Sequence, residues 1–287
     1  RASGHPKQAM YATIITVVMN IILAPIFIYL LGWGIKGAST ATILAQCITL
    51  TWQTRLLSNP NELLHLQKGI YKLKADIVKG ILSIGMSPFF INAAACIVVI
   101  IINKGLRNYG ADGDMSIAAY GIANRVQFIF VMVVLGLTQG MQPIVGYNYG
   151  AKKYDRVCKT LYMAIGWATL TTVVGFVICE LFPYEVVRIF VSEDGTGDAT
   201  TLIEQSARGL RLMLLAFPIV GFSIVVGNFF QCIGKAKRAI IISVSRQMLF
   251  KVPLLYTLPQ HLGVDGVWYA IPLADTLAAL LAAVLLI

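Results

Sequence analysis

A chain of 287 residues that is 57% hydrophobic and only 13% charged, with a mean hydropathy of +0.76, carries about half the charge of an average soluble domain, which excludes an aqueous fold around one buried core. A net charge of +10 would suit nucleic acid if the basic residues shared one soluble face. They are dispersed over short segments between apolar runs, so the implied partner is a lipid bilayer and not a nucleic acid.

Apolar stretches at 10–31, 37–57, 80–103, 117–141, 157–182, 210–232, 239–259 and 264–287 are each about 20 residues or longer, enough as helices to cross the hydrocarbon layer. Eight spans are therefore expected, in an all-α polytopic membrane protein. If successive turns alternate sides, one side collects Arg1, Lys7, Arg55, Lys68, Lys72, Lys74, Lys79, Lys152, Lys153, Arg156, Lys159, Lys235, Lys237, Arg238 and Arg246. The positive-inside rule makes that side cytoplasmic. The expected location is the cell (inner) membrane, as a multi-pass protein.

The first two spans are joined by Gly32-Trp33-Gly34-Ile35-Lys36-Gly37, and the last two by Gly263-Val264-Asp265-Gly266. Gly37 to Gln46 and Gly266 to Asp275 have the same length, and each ends in a polar residue. Six span starts lie between the copies, so both point the same way across the bilayer, as in a parallel transporter repeat. With a six-helix unit, residues 80–287 form a complete C-terminal lobe and 1–57 the last two helices of an N-terminal lobe. Four helices are then expected before Arg1 in a longer protein. Between the lobes, 58–79 reads as a cytoplasmic connector: Asn59-Pro60-Asn61 stops a helix, and leucines mixed with lysines suit a surface-lying amphipathic helix.

Polar residues inside spans are costly and are functional candidates by default. Span 80–103 offers Pro88 and Asn92, and span 117–141 offers Asn124, Arg125 and Gln127, with Gln142 just beyond it. Snorkelling to the interface accounts for Arg125 without a functional role. The run Gly140-Met141-Gln142-Pro143-Ile144-Val145-Gly146-Tyr147-Asn148-Tyr149-Gly150-Ala151 is expected to be a glycine-punctuated turn leaving the membrane. Residues Pro183 to Arg208 are expected not to span.

Span 210–232 carries Pro218 and Gly221, a bend device like that of Pro88, followed by Asn228 and Gln231. On span 239–259, Arg246 and Lys251 flank Gln247, and a mid-span Lys251 must face protein or water. Asp275 is the one carboxylate placed deep in a span. Its type suits a proton or cation site, because an apolar surround disfavours an isolated carboxylate charge; hydrogen bonding to neighbouring helices is the plain alternative. Cys47, Cys96, Cys158, Cys179 and Cys232 sit on separate spans, and His5, His65 and His261 stand singly, so neither a disulfide framework nor a metal cluster is expected.

The Gly140 to Ala151 run closely resembles the loop after the second helix of each lobe in the multidrug and toxic compound extrusion (MATE) transporters. The spans, their orientation, the connector and the paired glycine turns extend that resemblance over essentially the whole chain, toward bacterial members of a MepA-like branch. The resemblance implies two six-helix lobes around a central cavity and export of drugs or organic cations in exchange for protons or sodium ions. It also implies a monomer without a cofactor. Some branches place a coupling carboxylate in the helix matching span 80–103 or 210–232, and neither has one here. A lipid-linked glycan flippase of the same superfamily would need a more basic cavity. A membrane-embedded enzyme would need clustered carboxylates, a histidine pair or a nucleophile with its base.

Overall fold

Hydropathy of this kind leaves the backbone no partner but itself inside a bilayer, and the helices follow from that constraint. The computed structural model describes residues 6–58, 74–110, 112–191 and 197–286, and among them every regular element is a helix. The elements are α1 (Pro6–Pro25) continued by a π-helical turn at Ile26–Leu30, α2 (Gly34–Leu57), α3 (Ala75–Tyr109), α4 (Gly113–Gly150), α5 (Tyr154–Leu181) and α6 (Pro183–Arg188). They continue with α7 (Gly197–Leu214), α8 (Phe217–Cys232), α9 (Ala236–Val244), a π-helical segment at Ser245–Lys251, α10 (Val252–Leu262) and α11 (Val264–Leu286). The chain divides into two compact units, Arg1–Lys74 and Ala75–Ile287. Residues 59–73, most of the expected connector, lie outside the described set, and Ala75 already begins α3.

Six helical stretches are long and apolar enough to span, and the pair Ala199–Leu214 and Phe217–Cys232, bent by 56°, adds a seventh if it crosses as one. The expected eighth, α2, is 24 residues long but falls short in apolarity. The reason is its content of Gln46, Gln53 and Thr40, Thr42, Thr49, Thr51 and Thr54. The helix hides part of that polarity: the hydroxyls of Thr40, Thr42, Thr49 and Thr51 donate to the carbonyls of Lys36, Ala38, Ala45 and Cys47. Between α1 and α2, Thr16 and Thr49 hydroxyls meet at 2.7 Å and the Asn20 amide donates to Thr42 at 3.0 Å. Ala12, Ala41 and Ala45 are buried at this seam. Small residues and interhelical hydrogen bonds are how apolar helices associate in lipid.

The Gly140 to Ala151 run is corrected by the structure. Gly140 to Gly150 continue α4, whose hydrogen bonding carries on past Pro143, and the chain turns only at Ala151-Lys152-Lys153, with Lys152 at φ 58°. The glycines did not break the helix because Met141, Val145 and Asn148 still find a buried face; burial on one side outweighs the roughly 1 kcal/mol propensity cost of each glycine. The second correction is at 210–232, where the helix breaks at Leu215–Ala216 and Pro218 opens α8 in its first turn.

In the second unit, α4 packs on α5 and α7, α5 on α8, and α11 on α7, α8, α10 and the π-helical segment. Tyr120, Val126, Leu210, Met213, Phe217 and Trp268 lie in the largest buried cluster. Gly221 lets α8 approach α5: a Cβ there would stand 2.9 Å from the Ala168 carbonyl oxygen. The paired turns share one device. A Cβ on Gly37 would lie 2.6 Å from the Phe27 carbonyl oxygen and one on Gly266 2.5 Å from that of Leu258, while Gly34 and Gly263, three residues earlier in each copy, have φ of 52° and 60°. Only glycine meets both demands cheaply. Around these cores, Ile21, Ile100, Leu181 and Val284 are among many exposed apolar side chains, the surface of a protein solvated by lipid.

Gly266→Ala is expected to lower the thermal unfolding midpoint in neutral detergent, with a cost of about 1–3 kcal/mol because the clash is with backbone. Gly136→Ala in α4, where a Cβ meets nothing within 4 Å, should be neutral or slightly stabilising. Equal midpoints for the two variants would contradict the close-approach reading.

Candidate functional site

The second unit holds a cavity of about 360 Å³ between α3, α4, α7, α8, the π-helical segment and α11. Each element contributes through its own period. From α4 come Tyr120, Asn124, Gln127 and Val131, one face of the helix; from α3 come Ala95, Val98, Val99 and Ile102; from α8 and α11 come Val220, Ile224, Ile271 and Asp275. The π-helical segment adds Arg246, Gln247 and Lys251. Hydrogen bonds from i to i+5 widen the turn, so Arg246 and Lys251, five apart, share a face that an ordinary α-helix would split.

At the centre, Lys251 Nζ stands 3.7 Å from Asp275 Oδ1, with side chains 11% and 7% exposed. From Val264 to Asp275, at about 1.5 Å per residue, is about 16 Å along α11, close to half of the apolar thickness. A lone charge at that depth would be costly, and the pair removes most of that cost. The compensation is incomplete: Asp275 Oδ1 is too far for a hydrogen bond, and Arg246 Nε and Gln247 Oε1 are also buried without a partner. All three atoms belong to residues that line the cavity, so polar groups without protein partners gather around one space, as in a ligand site.

The structure sorts the sequence candidates. Asn124, Gln127 and Asp275 meet at the cavity. Gln142 and Asn228 meet each other instead, the Gln142 amide donating to Asn228 Oδ1 at 3.5 Å while Asn228 donates to the Ile224 carbonyl at 2.9 Å. Asn92 lies exposed on α3, before the lining residue Ala95, and Gln231 is exposed in the last turn of α8. Pro88 is inside α3 with its side chain outside the described set. Pro218 follows the 56° break, and its carbonyl accepts from the Thr172 hydroxyl at 3.2 Å. Tyr120, Arg246 and Lys251 also line the cavity; Arg246 and Lys251 stood out in the sequence only as charges inside a span, and the mid-span charge of Lys251 was the readable signal. Among the described residues no cluster of His, Cys, Asp and Glu could hold a metal.

With this geometry in view, a family model described as MatE matches residues 98–257, more than half of the chain. The chain belongs to the MatE family. The matched MatE region includes Asn124, Gln127, Arg246 and Lys251. Multidrug export protein MepA of Staphylococcus aureus (strain bovine RF122 / ET3-1) is 24% identical over 284 residues, covering 98% of this chain and 60% of that protein. Among solved structures, a MATE transporter in complex with MaL6 superposes with a TM-score of 0.87 at 23% identity, over 96% of this chain and 61% of that one. An outward-facing multidrug resistance MATE family transporter of the MOP superfamily gives 0.85 at 24%, over 96% and 61%. The MatE chain described here thus spans about 60% of the length of the curated relatives it matches. The fold is that of an all-α polytopic membrane transporter family.

Lys251→Met should destabilise the protein more than the double variant Lys251→Met/Asp275→Leu, because removing one partner strands a buried charge whereas removing both does not. A double-mutant cycle read by thermal unfolding should give a coupling of roughly 1 kcal/mol or more. Additive losses would show that the two side chains do not interact.

Proposed function

We propose that this chain is part of a transporter that exports small amphipathic molecules, drugs or organic cations among them, by alternating access in exchange for protons or sodium ions. The observation that carries the reading is the Lys251–Asp275 pair at mid-membrane depth beside an apolar-walled cavity. In support, the relatives named multidrug export proteins align over nearly the whole chain. In the proposed arrangement α3, α4, α5, α7–α8, α9–α10 and α11 are the six crossings of a C-terminal lobe, residues 80–287. Residues 1–57 supply the last two helices of the other lobe, with 58–79 as the cytoplasmic connector. The protein acts as a monomer in the cell (inner) membrane.

The pair gives such a lobe a two-state element. Asp275 can neutralise Lys251 or hold an incoming proton or sodium ion, but not both at once. Taking up the coupling ion therefore releases Lys251 and changes the charge that faces the cavity. An equilibrium shifts only by the difference in affinity of a ligand for the two states. The exclusivity of Asp275 supplies that difference. Asn124 and Gln127 present amides that can donate or accept on either side of the exchange, and Phe128 and Met213 give the same cavity a soft apolar wall. Flipping of a lipid-linked glycan would call for a cavity basic enough for pyrophosphate. Here Asp275 cancels Lys251 and leaves only Arg246 in surplus, so export is the better fit.

Asp275→Asn in the full-length protein should insert and fold, since the amide keeps the size of the carboxylate and its oxygen still turns a partial negative charge toward Lys251. Efflux of a lipophilic dye from vesicles, driven by an imposed proton or sodium gradient, should fall about tenfold or more, the scale of losing a single charge contact of roughly 1.5–3 kcal/mol. The gradient that loses its effect identifies the ion. Wild-type efflux in this variant would move coupling away from Asp275.

A further inference from the structure

The charges around the cavity do not balance. Arg246 and Lys251 both line it, Asp275 is the one carboxylate that does, and Lys251 already holds Asp275 at 3.7 Å. Arg246 has no carboxylate within ion-pair distance among the described residues, and its Nε is buried with no hydrogen-bond partner. Gly234, Lys235, Lys237 and Arg238 lie elsewhere, around a separate open pocket, with Arg238 stacked on Phe230, so the surplus is local to the cavity. A partly exposed guanidinium with no carboxylate beside it is a ready partner for an anion. We infer that the cavity of the second unit binds the anionic group of an amphipathic monoanion, a carboxylate or phosphate carried on an apolar body, with Arg246 as its counter-ion. This rests on the transport reading and narrows it: among the amphipathic molecules named there, the cavity selects anions over organic cations.

The surrounding groups suit such a guest. The π-helical segment brings both Arg246 and Lys251 to the cavity, so an oxyanion there has a guanidinium fork and an ammonium among its neighbours. Asn124 and Gln127 add amide donors from α4. Val98, Ile102, Phe128 and Ile224 offer apolar wall to an apolar body, and about 360 Å³ is the lower range of small-molecule sites. An organic cation would instead face the guanidinium with only a shared carboxylate to offset it. The anionic group has two sources, a soluble small molecule or the headgroup of an anionic lipid entering from the bilayer.

The test uses purified full-length protein in neutral detergent and three probes on one ring system: 2-naphthoate, 2-naphthamide and 2-naphthylmethylammonium. Calorimetry should show naphthoate binding about tenfold or more tightly than the amide, the ratio expected of one charge-assisted contact. Arg246→Gln should bring the ratio of naphthoate to amide affinity down to about one, and Arg246→Lys should keep part of it. Asp275→Asn should tighten naphthoate, because it removes the competing negative charge; this second variant moves affinity the opposite way and guards against Arg246→Gln failing to fold. Displacement of naphthoate by phosphatidylglycerol but not phosphatidylcholine would assign the anion to a lipid headgroup, and no displacement to a soluble molecule; both support the site. Tighter binding of the ammonium probe than of naphthoate, or naphthoate affinity unchanged by both substitutions, would overturn it. Arg246-dependent binding in a protein that exports nothing would defeat the transport reading alone.

Discussion

A bilayer offers no water to a stranded charge, and the packing of the second unit is arranged around that constraint at Lys251 and Asp275. Two groups that lipid cannot solvate sit 3.7 Å apart at mid-depth, supplied by two helices that must therefore stay adjacent. The constraint reaches outward through α11. Its buried face, from Gly266 and Trp268 through Ala274 and Ala278 to Ala282, is tied at one end by the close approach of Gly266 to Leu258 and to α7 by Gly209 lying against the Trp268 ring. Small residues bring the backbones near enough for the pair to meet, and the pair in turn makes that nearness worth keeping.

The π-helical segment is where packing and chemistry join. An α-helix is the lowest-energy way to cross lipid, so seven residues in a wider turn, Ser245–Lys251, need a reason. Their effect is to gather Arg246, Gln247 and Lys251 on the cavity side and leave Leu249 exposed. Pro253 follows at once in the first turn of α10, and its missing N–H removes one of the bonds that a regular helix would have needed there. Leu215–Ala216, before Pro218, is the second irregular place, and α8 beyond it contributes Val220 and Ile224 to the same cavity. Both of these departures from regular helix, in the second unit, border the site, which is the usual place for a protein to spend regularity.

Much of this was legible in the sequence, and the failures have physical causes. Apolar runs of bilayer length located α1, α3, α4, α5, α9–α10 and α11, because in lipid composition nearly determines structure. The equal spacing from Gly37 to Gln46 and from Gly266 to Asp275 marked two turns that do share one backbone device. Hydropathy underrates α2, since the hydroxyls of Thr40, Thr42, Thr49 and Thr51, which bond back to the helix, are weighed as if unsatisfied. Propensity misread Gly140 to Gly150, where tertiary burial of Met141, Val145 and Asn148 carried α4 through three glycines and a proline. At the site, Asp275, Asn124 and Gln127 stood out singly as buried polar groups. That Lys251 reaches Asp275, and that Gln142 turns to Asn228 instead of the cavity, depends on which helices touch, and no local period encodes that.

The central claim is that Lys251 and Asp275 act as one exchangeable unit within the membrane. A charge swap in the full-length protein tests it most directly: gradient-driven efflux from vesicles is compared among wild type, Lys251→Asp, Asp275→Lys and the double variant, at matched amounts in the membrane. The account predicts that each single variant, holding two like charges in a space of low dielectric, is inactive or poorly inserted, and that the double variant recovers both insertion and measurable efflux. Single variants that export like wild type, or a double variant no better than either single one, would contradict it.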